Sequence, residues 1–151
     1  MGLRQIVQVG DEVLRKKSLP VTDFGEKTAK LLDDMKETLI KANGAGLAAP
    51  QVGILRRIFI VMIDDTYIEF INPEIISQKG SQYGPEGCLS VKGKMGEVKR
   101  PNKVKVRFQD RKGDFYELTA EGFFARAICH EYDHLEGILY IDKADNLRID
   151  N

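Results

Sequence analysis

The sequence predicts an α+β fold, a compact single domain in which antiparallel β-sheets pack around a central helix. Three observations carry that expectation. Apolar residues recur at helical spacing near the N-terminus, runs rich in β-branched and aromatic residues fill the middle, and a second helical segment lies near the C-terminus. Strands grouped between two helices, rather than alternating with them, give α+β and not a doubly wound sheet. The first helix is expected over 25–42, where Leu31, Leu32, Met35 and Leu39 share a face, with Asp23 placed to cap the start and Asn43-Gly44 to end it. Strands are expected over 57–63, 67–71, 103–108 and 114–119; in the third, Val104, Val106 and Phe108 alternate with polar residues. The last two are joined by Asp110-Arg-Lys-Gly113, a hairpin connection that implies antiparallel pairing. The second helix is expected over 121–135, stopped at Gly137, and the five prolines are expected at corners.

Composition bounds the function. The 151 residues carry 23 Lys+Arg against 23 Asp+Glu, spread along the chain, so no basic patch suggests nucleic acid or an anionic membrane. A chain this long buries roughly 68–70% of its unfolded surface, enough for a core without a staple. The longest apolar run, IFIVMI at 58–63, is far too short for a bilayer span, and the N-terminus has no signal-peptide apolar region. Cys88 and Cys129 form no disulfide framework, which points to a reducing, cytoplasmic setting. No linker or repeat divides the chain, so 1–151 is expected to be one domain.

The chemistry is expected on the second helix, which contains HEYDH at 130–134, an HExxH segment. Residues i and i+4 lie one above the other on a helix, so His130 and His134 can bind one divalent ion. Glu131, about 100° round the axis, can reach a water on that ion. The chain has two histidines in all, both on one face with Phe123 and Ala127, and unpaired imidazoles on an apolar face are costly. A third protein ligand is needed if the site is catalytic. It is not a third histidine: the pattern H-E-x-x-H-x-x-G-x-x-H keeps Gly137 but meets Tyr140 at the last position. It is not a downstream glutamate either, because Glu136 is the one Glu after His134 and lies too near it. Cys88, in PEGCLS at 85–90, is the candidate upstream, offering a thiolate to a borderline-soft ion. The rival, Cys129, neighbours His130 on the helix and points about 100° away, as a small core residue would.

The GAGLAAPQ segment at 44–51 formally satisfies a dinucleotide fingerprint, but a helix precedes it and a strand follows, the reverse of that motif's order. It is expected to be a helix-terminating turn packing small residues on the core. There Gly46 lets a ligand's backbone lie close, and Gln51 offers an amide N–H to an oxygen that becomes negative.

Together, GAGLAAPQ, EGCLS and HEYDH, in this order, resemble the peptide deformylase family. The likeness extends to VGDEVLR at 9–15 and LEGILY at 135–140, so it covers nearly the whole chain. The resemblance implies a cytoplasmic enzyme of bacterial or organellar type that removes the N-formyl group from nascent chains beginning with formyl-methionine, releasing formate. It implies Cys88, His130 and His134 around Fe(2+), replaceable by Zn, Ni or Co, with Glu131 as general base and acid. It further implies that the Gln51 side chain and the Leu89 backbone N–H stabilise the oxyanion, that Gly46 aligns the substrate as an added strand, and that Phe123 and Ala127 line the methionine pocket.

The sequence also departs from the family. Many members read Val-Pro-Gly after Cys-Leu-Ser and present an Arg near the position of Met95, whereas this chain has VKGKM at 91–95. Lys94 or Arg100 is then expected to take over outer substrate contacts. Nine residues follow Asp142, too few for the long C-terminal helix with which some members dock on the ribosome. Three other readings stand beside this one: a general zinc metallopeptidase, a cysteine hydrolase using Cys88 with His130, and a non-catalytic metal-stabilised module that binds nascent chains.

Overall fold

The structure, a computed structural model, describes residues 2–150; Met1 and Asn151, the ends of the expected domain, lie outside it. Helix α1 spans Glu26–Ala42, and α2 spans Phe123–Leu135. The strands are β1 (Gly46–Ala48), β2 (Ile58–Ile63), β3 (Thr66–Lys79), β4 (Gln82–Cys88), β5 (Val91–Arg100), β6 (Lys103–Gln109), β7 (Phe115–Glu121) and β8 (Asp145–Ile149). They form a five-stranded sheet in the order β1-β2-β3-β6-β7 and a three-stranded sheet in the order β4-β5-β8. Every named pairing is antiparallel, and the fold is α+β.

Strand β2 explains how the two helices find their places. Its alternate residues Ile58 and Ile60 face the cluster that holds Leu32, Met35 and Leu39 of α1. Phe59 and Val61 face the cluster that holds Ala125, Ile128 and Leu135 of α2. A strand covered on both faces reads as an unbroken apolar run, which is why IFIVMI shows no alternation. Farther from α1, β6 buries Val104, Val106 and Phe108 and exposes Lys103, Lys105 and Arg107, the clean alternation of a half-covered strand. Helix α2 touches β1, β2 and β7 on one side and β5 on the other, so it stands between the two sheets.

Several expected boundaries shift for identifiable reasons. Gly25, not Asp23, is the N-cap of α1; Asp23 Oδ1 accepts from Gly25 N–H at 2.9 Å and its carbonyl accepts from the Thr28 hydroxyl at 2.6 Å, so it shapes the entry from one turn back. Asn43 closes the helix in the left-handed region, with φ of 56°. The strand expected over 67–71 continues to Lys79 through a bulge at Asn72-Pro73, where the register shifts and the missing proline N–H costs no ladder bond. Pro85 likewise lies inside β4 rather than at a corner, tolerated because β4 is an edge strand. Residues 121 and 122 complete β7 and cap α2, so that helix begins at Phe123. It stops at Gly137, whose φ of 75° suits glycine, as expected. The turn expected at 44–51 is instead the short edge strand β1 followed by a 3-10 turn, Ala49–Val52.

Candidate active site

Three pieces of chain meet at one cleft of about 320 Å³: the β1 segment with its 3-10 turn, the end of β4 with the turn after it, and one face of α2. Gly46, Gln51, Cys88, Leu89, Phe123, Ala127, His130 and Glu131 all line it. His134 is buried, with its Nε2 3.4 Å from Cys88 Sγ. Thus the structure brings together the three candidate ligands with Glu131, Gln51, Leu89, Gly46, Phe123 and Ala127, and of the outer candidates it adds Lys94 but not Arg100. Phe123 is 58% exposed and stands at the rim, while Ala127 is buried within.

Cys88, His130 and His134 present one sulfur and two nitrogens that all lie within 4.8 Å of one another. Donors sharing a tetrahedral ion sit about 3.5 Å apart, and Cys88 Sγ and His134 Nε2 are 3.4 Å apart. The donor set therefore fits a divalent transition metal. Burial pushes the His134 imidazole well below its ordinary value, so it stands in the neutral form that ligates. Both cysteines are free thiols; Cys129 belongs to the buried core, and burial pushes its thiol up to about 11. Tyr140, at the place where a third histidine would fall in the extended HExxH pattern, is buried and stacks on His130 with ring centroids 5.9 Å apart.

Sequence reasoning missed the residues behind His130. Glu86 Oε1 lies 2.9 Å from His130 Nδ1. Burial alone would raise the Glu86 carboxyl, but hydrogen bonds from Arg100 and His130 bring it down to about 2. It is therefore an anion that can only accept, so His130 carries a proton on Nδ1. Burial would lower this imidazole, but its contacts with Cys88 and Glu86 raise it well above its ordinary value, so an ion binding at Nε2 would take the place of a proton there. Glu86 is held in turn by Arg100, at 2.9 Å to each carboxylate oxygen, and by Arg126 Nη1 at 2.6 Å. Arg100 continues to Asp133 at 2.7 Å, which Lys143 also meets at 2.9 Å. Arg100 is 3% exposed, bonded to Glu86 and Asp133 and absent from the cleft lining, so it is not placed for outer substrate contacts; of the two expected candidates, Lys94 lines the cleft. A glutamate two residues before the candidate cysteine was the available signal for this network, but no spacing rule links it to a helix 44 residues away.

Glu131 is buried, and burial pushes its carboxyl up to about 7, into the range of a group that both takes and returns protons near neutrality. Its Oε1 is buried with no partner from the protein. Gly46 explains how it fits: a Cβ at that position would sit 2.6 Å from Glu131 Oε2, so a side chain there would displace the carboxylate. The Gln51 carboxamide is buried, with Oε1 accepting from Ala48 N–H at 2.9 Å and Nε2 donating to Ser90 Oγ at 3.0 Å.

The family model for polypeptide deformylase matches residues 3–149. The peptide deformylase of Caldanaerobacter subterraneus subsp. tengcongensis is 53% identical over 143 residues, covering 95% of this chain and 90% of that protein. That of Caldicellulosiruptor bescii is 54% identical over 143 residues, covering 95% and 86%. The crystal structure of the Thermotoga maritima peptide deformylase superposes with a TM-score of 0.94 at 40% identity, covering 96% of this chain and 99% of that one. A peptide deformylase from Synechococcus elongatus in complex with actinonin superposes with a TM-score of 0.92 at 35% identity, covering 95% and 79%. With the match running from residue 3 to residue 149 and the cleft built from the same three segments that carried the resemblance, the chain belongs to the peptide deformylase family.

Proposed function

We propose that Cys88, His130 and His134 hold one divalent ion, and that Glu131 manages the protons while the formyl amide of a nascent chain is hydrolysed beside it. As a peptide deformylase the protein is a metal-dependent hydrolase that removes the N-formyl group from nascent peptides. The observation that carries the residue assignment is the meeting of one cysteine sulfur and two imidazoles next to a buried carboxyl group that has no protein partner on Oε1. An ion held there supplies an activated water and polarises the formyl carbonyl.

Each remaining step belongs to the chain. Glu131 takes the proton of the attacking water and delivers it to the amine that departs, one carboxyl serving both transfers. The Gln51 amide and the Leu89 backbone N–H face the oxygen that gains charge in the tetrahedral state. Strand β1 is the outermost of its sheet, so its open edge, at Gly46, accepts the substrate main chain as an added strand. Ala127 and Phe123 contact the methionine side chain, Ala127 at the pocket wall and Phe123 at its rim, and Lys94 meets residues farther along the peptide. The ion is Fe(2+), with Zn, Ni or Co able to replace it; a thiolate with two imidazoles suits this borderline group. The 1–151 chain works as one metallohydrolase domain in the bacterial cytoplasm, its substrates are nascent chains, and it has no need of nucleic acid or membrane. No described helix is long and apolar enough to cross a membrane.

The test is to purify the protein without oxygen, measure bound metal, and assay formate release from a formyl-methionyl peptide beside cleavage of its unformylated counterpart. Formate release proportional to bound metal is expected. Cleavage of the unformylated peptide at an internal bond, without formate release, would overturn the reading.

A further inference from the structure

Ser90 is 0% exposed, lies in the turn after β4, and places its hydroxyl 3.0 Å from Gln51 Nε2. We propose that Ser90 is a positioning residue: by accepting one Nε2 hydrogen of Gln51, it holds the other towards the formyl oxygen as that oxygen becomes negative. The inference rests on the reading of Gln51 as an oxyanion donor and deepens it.

A carboxamide has two nearly isosteric faces, and only one of them helps. If Gln51 turned over, Oε1 would point into the cleft and repel the developing charge. Two contacts decide the orientation. Ala48 N–H can only donate, so the atom 2.9 Å from it must be Oε1. Nε2 therefore faces Ser90, whose hydroxyl can accept as well as donate, and here it accepts. The other neighbour of Nε2 is Cys88 Sγ, which accepts at 3.6 Å, a longer contact as sulfur allows. One Nε2 hydrogen is thus tied to Ser90 while the other points towards Cys88 and the cleft.

The backbone repeats the arrangement. Gln51 and Ser90 are 39 residues apart, yet one extended segment fixes both: Val7 N–H donates to Gln51 O at 2.7 Å and Val9 N–H donates to Ser90 O at 2.8 Å. The side chain of Gln8, between them, donates to Leu89 O at 3.0 Å. Donor and positioner are therefore held in register from outside the cleft, as a preorganised charge-stabilising group requires.

The experiment is a double-mutant cycle in the metal-loaded enzyme with Ser90→Ala, Gln51→Ala and the pair. Gln51→Ala is expected to lower kcat by about 10²-fold or more, as loss of one oxyanion donor does. Ser90→Ala is expected to lower kcat about three- to tenfold, the worth of one hydrogen bond, with KM and metal content unchanged. The pair should be no slower than Gln51→Ala alone, because Ser90 acts only through that amide. Ser90→Cys, nearly the same shape with a poorer acceptor, should fall between wild type and Ser90→Ala, and it serves in place of Ser90→Ala should the alanine variant fail to fold. A readout independent of turnover is hydrogen exchange of the Gln51 side-chain amide by NMR in zinc-loaded protein, expected to be slow in wild type and faster in Ser90→Ala. Losses that multiply in the double mutant, or wild-type kcat in Ser90→Ala beside an impaired Gln51→Ala, would overturn the positioning role alone. Wild-type kcat in Gln51→Ala would instead remove the oxyanion reading, and the inference with it.

Discussion

The two sheets solve different problems with different chemistry. The five-stranded sheet is held by apolar packing: β2 buries Ile58, Phe59, Ile60 and Val61 almost completely, Phe59 stacks on Phe70 at 4.7 Å between centroids, and Phe108 packs tilted on Phe70 at 4.5 Å. The three-stranded sheet buries little that is apolar, with Val91, Val98 and Tyr140 as its cluster, and is tied to α2 through Glu86, Arg100, Arg126 and Asp133. Close packing sets where α2 lies, whereas a directional bond to a charged group sets where the His130 imidazole points. The difference predicts that damage to the first sheet lowers stability and spares chemistry, and that damage to the second reaches the ion.

The largest expected effect is at the end of β4. Cys88→Ala should lose bound metal and with it formate release, while Cys129→Ala, in the core on the other side of α2, should keep both; elemental analysis beside an activity assay checks the pair. The reverse pattern would break the comparison. Next comes Glu131→Gln, expected to keep stoichiometric metal and lose about 10²–10⁴-fold in kcat, the worth of a general acid–base group. A variant within a few-fold of wild type would sink that role.

A matched pair sharpens the contrast. Phe59→Ala in the large sheet should cost about 3–5 kcal/mol of unfolding free energy, with metal affinity unchanged in the protein that remains folded. Arg100→Met should cost a similar amount, about 3–5 kcal/mol, because it takes the bidentate partner from the buried Glu86 carboxylate and leaves it Arg126 and His130 alone. Only the second should also weaken metal binding, by about 10–100-fold, since Glu86 orients His130. Denaturant unfolding and a metal-chelator competition separate the two.

The smallest expected effect is the acid response of the same network. Glu86 is depressed from 4.5 to about 2 in the folded protein, so its contribution is fully present above 4.5 and fades as pH falls towards 2. Unfolding free energies of wild type and Glu86→Gln should therefore converge across that interval and stay apart above it.

The same division explains what was legible in the sequence. β2 and β6 announce themselves through continuous or alternating apolar residues, and α1 through its periodic leucines, because their burial is apolar and periodic. β4, β5 and β8 do not. Their residues, QYGPEGC, VKGKMGEVKR and DNLRI, carry glycines, a proline and charges, and the groups that matter in them are polar and paired across long stretches of chain. HExxH is legible because its geometry is local to one helix, one turn from His130 to His134. The Glu86 anchor and the Ser90 contact are not, since each joins residues about forty positions apart. Gly46 was expected to serve the substrate backbone; the structure adds a second reason for it, room for Glu131, which only the packing of β1 on α2 reveals.

The most direct test of the central claim, that the small sheet and α2 share one ion, is X-ray absorption spectroscopy of the zinc-loaded protein. One sulfur at about 2.3 Å and two imidazole nitrogens at about 2.0–2.1 Å are expected, with the sulfur shell absent in Cys88→Ser. A first shell of nitrogen and oxygen alone in the wild-type protein would contradict it.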